Sequence, residues 1–431
     1  MGFKPPKGTT DFLPEDMVLR EYVINKIKDV FIAYGFECLE TPIFEDWDLL
    51  TKKCGEEIKK QIFRFKDKAG RELGLRFDLT VGMARVIANN PQLPKPFKRY
   101  YIAPVWRYEE ITRGRRRQFY QCDIDIVGTK SMEAEVECIS CAIDCLKKLG
   151  FENINVIINN RKILEGMLEL LKVEKEKKLD VFRAIDKIDK FGGSFVKKEL
   201  KKIGLENFQV EKIIEILNTE GKIEIGRKIF KGIKVAEEGI NELKEIYEIS
   251  KNYGIEKFLK IDFGLARGLD YYTGPIFEIV VGGEEKIGSV AGGGRYDNLI
   301  ELLGGKPTPA TGISLGIERI IEIIKEGRMI KVPKTNVRVF VANIDSASKE
   351  AAIKIAQELR KEEISTQTDL MNRNIKKQLE YCNSLGIPFA VIIGKKEMIS
   401  GIIKVKDLRR GKEFEVKREE IVNFLKVGIN S

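Results

Sequence analysis

The chain has 431 residues, a formal charge of +10, a hydrophobic fraction of 43% and no histidine. That length accommodates about three domains at roughly 150 residues each, and the apolar content excludes an intrinsically disordered polymer. Without imidazole, Ser-His-Asp hydrolysis, zincin chemistry and His-based phosphotransfer are excluded as well.

The segment Met1-Gly-Phe-Lys-Pro-Pro-Lys7 contains no apolar run suited to a signal peptide. No stretch approaches the ~20 apolar residues that span a bilayer. These features predict a soluble, cytoplasmic protein without a membrane partner. A helix fits Pro14 to Tyr34, and Ile62 to Asp78 reads as two strands around a turn at Lys66 to Gly70. Leu79 to Asn89 reads as a helix, and the basic run Arg113 to Arg117 as a loop between two strands. Glu133 to Leu149 is amphipathic, with Cys138, Cys141 and Cys145 three and four residues apart on one face. A structural zinc would need a fourth Cys or His ligand, and none is near in sequence. The three thiols are therefore expected to act as small buried hydrophobes, and no metal ligand set is assigned.

From 171 to 232 the pattern turns to short amphipathic helices punctuated by Gly192-Gly193, Gly204 and Gly221. An apolar run from Phe258 to Ala266 then leads into Arg267, Asp270 and the pair Tyr271-Tyr272, followed by an alternating strand, Ile276 to Val281. Neighbouring strand residues point to opposite faces, so Arg267, Asp270 and one tyrosine can converge on a pocket floored by a sheet. A helix follows Gly316. Pro333 and Lys334-Thr-Asn336 mark a linker. Beyond it, strands at Val337 to Ala342, Ile364 to Thr368 and Phe389 to Ile393 alternate with helices at Ala347 to Lys361 and Ile375 to Leu385. That order predicts a small βαβ domain with a mostly parallel sheet over 337–431. The expected organisation is thus a catalytic domain from 1–170 and 233–332, a helical insertion over 171–232, and the C-terminal α/β domain.

Basic residues recur in clusters: Arg113 to Arg117, Lys197 to Lys202, Arg227 to Lys234, Arg373 to Lys377, and Arg409 to Lys412. The excess charge suits an anionic partner, nucleic acid first. With charged residues at 33%, a surface laced with Lys–Glu ion pairs accounts for part of it.

Several strings in order carry a more specific signal. They are Lys7-Gly-Thr-Thr-Asp-Phe-Leu-Pro14, the segment Phe36 to Glu45, Arg76-Phe-Asp-Leu-Thr80, Val105-Trp-Arg-Tyr-Glu109 and Arg115-Arg-Arg-Gln-Phe-Tyr-Gln121. Downstream stand Arg267-Gly-Leu-Asp-Tyr-Tyr-Thr-Gly274, Gly292-Gly-Gly-Arg-Tyr-Asp297 and Gly312-Ile-Ser-Leu-Gly-Ile-Glu-Arg319. Together they resemble the histidyl-tRNA synthetases, a family of class II aminoacyl-tRNA synthetases. Phe77-Asp78 and Gln121-Cys-Asp-Ile-Asp125 resemble the archaeal and eukaryotic branch, since Glu is usual at both acidic positions in bacteria.

The resemblance implies a multidomain α/β protein: an antiparallel-sheet class II catalytic domain with a helical insertion, and a C-terminal anticodon-binding domain that includes Asn372-Arg-Asn-Ile-Lys-Lys-Gln378. It implies activation of L-histidine by ATP with Mg²⁺, then transfer to tRNA(His), by a homodimer joined through Phe36 to Glu45. Carboxylate activation needs no imidazole, because the substrate carboxylate is already an ionised nucleophile. By similarity, Arg107, Arg267 and Arg319 are the catalytic cations. The histidine site comprises Asp78, Leu79, Thr80, Arg107, Gln121, Asp125, Arg267, Tyr271, Tyr272 and Tyr296. Within it, Asp78, Thr80 and Gln121 take the α-ammonium, and Asp125 and Tyr272 take the imidazole. The alternative for Asp125 is an ion pair with one of the arginines of Val105–Glu109 or Arg115–Gln121. ATP falls to Arg107, Glu109, Phe119 and Arg319, and tRNA to Arg113, Arg115, Arg116, Arg117, Arg373, Lys376 and Lys377. Two non-ligase readings share the fold: a regulatory subunit of ATP phosphoribosyltransferase, and a sensor of uncharged tRNA. The presence of Arg107, Arg267 and Arg319 together with residues 337–431 speaks against both.

Overall fold

The computed structural model describes residues 2–52, 55–112, 115–266, 271–282 and 289–430. The chain divides into two compact units, Met1–Thr10 with Val23–Ile330 and Asp11–Tyr22 with Lys331–Ser431.

A nine-stranded sheet organises the first unit. Its strands in chain order are β1 (Glu37–Cys38), β2 (Phe97–Trp106), β3 (Gln118–Val127), β4 (Ile154–Asn160), β5 (Glu220–Gly221), β6 (Leu259–Asp262), β7 (Pro275–Val281), β8 (Ala291–Arg295) and β9 (Ala310–Gly316). In space they run β1-β2-β3-β9-β8-β7-β4-β6-β5. Every pairing from β2 to β4 is antiparallel, while β1–β2 and β4–β6 are parallel. Phe44–Asp46, Glu72–Leu75 and Arg64–Lys66 form a separate three-stranded sheet. Its Arg64–Leu75 hairpin turns at the segment expected, with Gly70 at φ +81°.

Five helices matter for the site: α1 (Pro14–Ala33), α2 (Thr80–Asn89), α3 (Glu133–Lys148), α4 (Lys234–Asn252) and α5 (Ile317–Gly327). In α1, Val23, Ile27, Val30 and Phe31 are buried, the three-and-four spacing of a single core-facing stripe. Cys138, Cys141 and Cys145 on α3 are all fully buried, and α3 packs on β9 and β3. Helices fill most of 178–229.

Strand β7 departs from the half-exposed alternation its sequence suggested. Nearly every one of its residues is buried, because β7 lies between β8 and β4 and α4 packs on it. Its other face floors a cavity, so Phe277 and Glu278 are both withdrawn from solvent.

The second unit holds β10 (Val339–Asn343), β11 (Thr366–Thr368), β12 (Phe389–Ile393), β13 (Ile402–Asp407) and β14 (Lys412–Lys417), with α6 (Lys349–Lys361), α7 (Ile375–Leu385) and α8 (Ile421–Asn430). Val339 and Val341 join a core with Ile355, Leu359 and Leu425, whereas Phe340 and Ala342 face Cys382 and Ile387. This period-two split puts helices on both faces of the sheet. The order is β11-β10-β12-β13-β14. β11–β10–β12 pair in parallel and β12–β13–β14 antiparallel, so the sheet is mixed rather than mostly parallel. The C-terminal hairpin causes the difference. In β13, buried Ile403 and Val405 alternate with Lys404 and Lys406, a half-exposed pattern that antiparallel strands tolerate.

One buried ion pair ties α3 to the central sheet. Arg295 on β8 donates to Glu135 through Nε (2.8 Å) and Nη2 (2.9 Å), and to the carbonyls of Thr129 and Ser131. Glu135 is fully buried. Removing one partner of such a pair costs about 3–5 kcal/mol, since the other charge stays desolvated. Arg295→Met should therefore lower the melting temperature by several degrees. Adding Glu135→Leu should recover only part of the loss, because the two carbonyls remain without their donor. A single variant as stable as the parent would contradict this account.

Candidate active site

The register of the central sheet assembles the site. Gln121, Asp123 and Asp125 alternate along β3 and share one face. On β2, Ala103, Tyr101 and Arg99 stand opposite them in that order; on β9, the opposing residues are Gly316, Ser314 and Gly312. β8 contributes Gly292 beside Ser314 and Gly294 beside Gly312, and β7 places Glu278 next to Gly292. One row across five strands is thus Tyr101–Asp123–Ser314–Gly292–Glu278. Its centre is Ser314 beside Gly292, and Asp123 and Glu278 stand on either side of that pair.

A cavity of about 290 Å³ opens over this floor. Its walls include Asp78 and Thr80 at the start of α2, Arg107, Gln121, Asp123, Asp125, Tyr271, Tyr272, Glu278 and Tyr296. Glycine at 312 is required by space, since a Cβ there would overlap the Asp125 carboxylate and the Ile124 carbonyl.

Asp125 is held on two sides. Arg99 Nη2 donates to its Oδ2 at 3.1 Å, and the Tyr296 hydroxyl donates to Oδ1. The arginine partner is thus supplied by β2, directly across the ladder, rather than by the basic loop. Arg99 is itself fully buried, with its guanidinium over the ring of Tyr101 at 4.4 Å. Thr273 N–H donates to the Arg295 carbonyl and Asp297 N–H to Thr273 Oγ1. These bonds fix the Tyr271–Thr273 segment against β8. Tyr271 and Tyr272 pack with ring centroids 4.6 Å apart, and Tyr271 meets Tyr296 edge-on at 6.0 Å.

Asp78 Oδ1 accepts from Val81 N–H at 3.0 Å. Burial still pushes this carboxyl up to about 6, against the pull of that N–H and of Arg107. Asp123 is driven well above the usual carboxylate range, first by burial; a Ser314 hydrogen bond opposes the rise, and Asp125 and Asp78 add to it. Asp125 is also raised by burial, with Arg99 and Tyr296 opposing.

A second cavity, again about 290 Å³, adjoins the first and shares Arg107, Gln121, Gly292 and Ser314 with it. It is lined by Glu109, Arg115, Arg116, Phe119, Glu318 and Arg319. The Arg107 guanidinium stands over the Phe119 ring at 5.1 Å and donates from Nε to the Phe77 carbonyl at 2.9 Å. Arg319 donates to the Ser289 carbonyl, and Glu318 accepts the Tyr120 N–H. Arg115 lies 3.8 Å from Glu109.

The expected residues divide accordingly. Asp78, Thr80, Gln121, Asp125, Tyr271, Tyr272 and Tyr296 gather on the first cavity, Glu109, Phe119 and Arg319 on the second, and Arg107 on both. Leu79 does not join them: its side chain is fully buried in an apolar cluster with Met83 and Tyr101. Arg267 and Arg113 lie outside the described residues. Arg115 and Arg116, expected to face tRNA, line the second cavity. Arg117 instead covers the Tyr108 ring at 3.7 Å, and its N–H donates to the Gly8 carbonyl. In the second unit, Arg373 pairs with Asp369 at 2.6 Å and stacks over Tyr381, whereas Lys376 and Lys377 are exposed. Sequence reading missed Asp123, Arg99, Ser314 and Glu278. Period-two alternation from Gln121 to Asp125 could have found Asp123; the other three depend on register.

The model for the histidyl-tRNA synthetase family matches residues 8–320, and that for the anticodon binding domain matches 337–427. The chain belongs to the histidyl-tRNA synthetase family. Among curated relatives, a histidine–tRNA ligase of Pyrococcus horikoshii is 40% identical over 97% of this chain and 98% of its own. One of Methanocaldococcus jannaschii is 38% identical over 98% and 99%. A solved histidyl-tRNA synthetase from Nostoc sp. PCC 7120 superposes with a TM-score of 0.85 at 30% identity, covering 99% of both chains. A Bacillus halodurans structure described as an ATP phosphoribosyltransferase regulatory subunit/histidyl-tRNA synthetase shares the fold, at TM-score 0.75 and 22% identity, over 88% of this chain and 96% of its own. Histidyl-tRNA synthetase architecture thus accounts for the central sheet.

Burial of Asp78 gives a signed pH dependence. A native carboxyl at about 6, against an ordinary 3.8, stays protonated where the unfolded chain has already ionised. Its contribution to stability is present below pH 3.8 and is lost as pH rises through 6. The loss is roughly 3 kcal/mol at 1.36 kcal/mol per pKa unit. Asp78→Asn keeps an acceptor for Val81 N–H and has no charge to bury. It should melt several degrees above the parent at pH 7.5, with the gap closing by pH 4. Equal melting temperatures at pH 7.5 would refute the assignment.

Proposed function

We propose that the chain is a histidine–tRNA ligase. It condenses L-histidine with ATP to histidyl-adenylate and pyrophosphate, then transfers histidine to the 3′ end of tRNA(His). The observation that carries this reading is the pair of adjoining cavities, one acidic and one lined by guanidinium groups, with Arg107 on their shared wall.

Histidine occupies the first cavity, with its ammonium towards Asp78, Thr80 and Gln121 and its imidazole towards Asp125, Tyr271 and Tyr272. Arg99 and the Tyr296 hydroxyl already engage Asp125, so Tyr296 acts on the imidazole through that carboxylate. A buried polar site of this kind rejects side chains that leave its groups unpaired, by roughly 10⁴–10⁵. ATP occupies the second cavity, its adenine against Phe119 and its phosphates among Arg107, Arg115, Arg116 and Arg319. The histidine carboxylate oxygen bonds to the α-phosphorus while the bond to the β-phosphate oxygen breaks, and pyrophosphate leaves. Arg107 steadies the charge on both reacting groups, and Arg267 belongs with it by similarity. Planar guanidinium forks suit phosphate oxygens and stay charged. Glu109 and Glu318 are the carboxylates on this cavity, a donor set that suits Mg²⁺, which takes one or two carboxylates together with phosphate oxygens. When bound it would neutralise phosphate charge there. In the second step the tRNA ribose oxygen attacks the acyl carbon, AMP leaves, and the adenylate phosphate oxygen takes the proton.

Residues 337–431 would meet the anticodon, with exposed Lys376 and Lys377 the stronger phosphate contacts and Arg373 a brace held by Asp369. Residues 171–232 form the insertion between the two parts of the catalytic domain, 1–170 and 233–332. A homodimer through Phe36 to Glu45 is supported by exposed Ile43 and Phe44 beside Phe65. Among the described residues no helix is long and apolar enough to cross a membrane, which suits a cytoplasmic enzyme.

The purified full-length chain should catalyse ATP–pyrophosphate exchange with histidine and with no other standard amino acid. Arg107→Ala should lower its kcat about 10²–10³-fold, as loss of one charge-stabilising donor does. No exchange, with tRNA binding intact, would favour a non-catalytic sensor. Binding of tRNA should weaken steeply with salt; a salt-independent affinity would contradict phosphate contact by the basic residues.

A further inference from the structure

Gln121 and Asp123 sit two residues apart on the same face of β3, and both line the first cavity. Each presents a buried oxygen, Gln121 Oε1 and Asp123 Oδ1, that has no hydrogen-bond partner among the described residues. Buried acceptors are nearly always partnered, so two orphan acceptors on neighbouring residues of a cavity wall describe the donor that belongs with them.

The remainder of each group is already committed. Gln121 Nε2 donates to Ser314 Oγ at 2.8 Å, and Ser314 in turn hydrogen-bonds Asp123. The amide nitrogen of Gln121 is thus committed to Ser314, and its carbonyl oxygen is left as the unpaired acceptor. One carboxyl oxygen of Asp123 is likewise left without a partner among the described residues. Arg99, the buried cation across the ladder, is engaged with Asp125. Asp78 lines the same cavity with one oxygen on Val81 N–H.

The missing donor must therefore carry positive charge and several divergent N–H groups. Imidazole offers at most two, both in one plane. An α-ammonium offers three in a tetrahedral arrangement. We infer that Asp123 is a specificity-determining residue that, with Gln121, receives the α-ammonium of the amino-acid substrate. The inference rests on the reading of the first cavity as the histidine site, and it adds a second carboxylate to the ammonium contacts expected of Asp78, Thr80 and Gln121. It also accounts for Ser314: that hydroxyl positions both acceptors.

The test uses the full-length protein and two competitive inhibitors of histidine-dependent exchange. Histidinol carries the ammonium and imidazole without a carboxylate; 3-(imidazol-4-yl)propionate carries the imidazole and carboxylate without an ammonium. In Asp123→Asn, the KM for histidine and the Ki for histidinol should rise roughly 10- to 100-fold, the range for a charge-assisted hydrogen bond, while the imidazolylpropionate Ki and the KM for ATP stay within about two-fold. Equal weakening of both inhibitors would mean that Asp123 only shapes the pocket, and would overturn the inference. An unchanged histidine KM would overturn it too. Should Asp123→Asn not accumulate as folded protein, Ser314→Ala read in the same assay should show the same ordering with a smaller effect, and a uniform effect there would count against the proposal. If the parent protein shows no histidine-dependent exchange, the activity reading fails, irrespective of Asp123.

Discussion

Three aspartates buried on one cavity are the constraint around which the catalytic unit is arranged. Asp78, Asp123 and Asp125 each lose water, and Asp78 and Asp125 both oppose ionisation of Asp123. Desolvating a charge is tolerated only with close partners. The fold supplies them one by one: Arg99 and Tyr296 for Asp125, the start of α2 for Asp78, Ser314 for Asp123. These partners leave an Asp123 oxygen unsatisfied among the described residues, so the protein's own groups do not complete the cavity electrostatically. A cationic substrate completes it. Stability given up in the free protein is thereby converted into selectivity for what binds.

Charge is sorted along the floor. Acceptors collect between β3 and β7, guanidinium groups collect beyond Gly292 and Gly316, and Arg107 stands at the junction. Its Nε bond to the Phe77 carbonyl couples it to the segment that carries Asp78. An ammonium-bearing substrate and a polyphosphate would thus be drawn into neighbouring cavities, with their reacting ends beside a cation that is already oriented. Such preorganisation is where most of the rate in phosphoryl and acyl transfer arises. The glycines serve the same end. Gly292 leaves open the space shared by the two cavities, and Gly312 leaves room for Asp125.

Much of this was legible before any coordinates. The helix beginning at Pro14, the Arg64–Leu75 hairpin and the helices from Lys349 and Ile375 follow from local propensity and turn chemistry within short windows. The motif strings named Arg107, Asp78, Gln121, Asp125 and the tyrosines as candidates, and the structure gathers them on one cavity. Less legible was the hairpin Ile402–Lys417, whose apolar residues alternating with Lys were not read as strands, so the sheet of the second unit was expected to be mostly parallel. Leu79 was misplaced for a related reason. Adjacent residues on a strand or at a helix start face different ways, and a contiguous motif does not say which of them reaches the ligand.

What the sequence determined by itself was local or collective: the element types, the approximate domain order, the exclusion of histidine-based chemistry, and the family. Each depends on spacing along the chain or on strings that stand in order. Only the tertiary structure decided which charges meet. Arg99 and Asp125 are 26 residues apart, and Ser314 is 193 residues from the Gln121 amide it accepts. Their pairing depends on the register in which β2, β3 and β9 align. A shift of one residue would turn every one of these side chains to the opposite face. Register is set by the summed burial of all the strands, a quantity that no single segment contains.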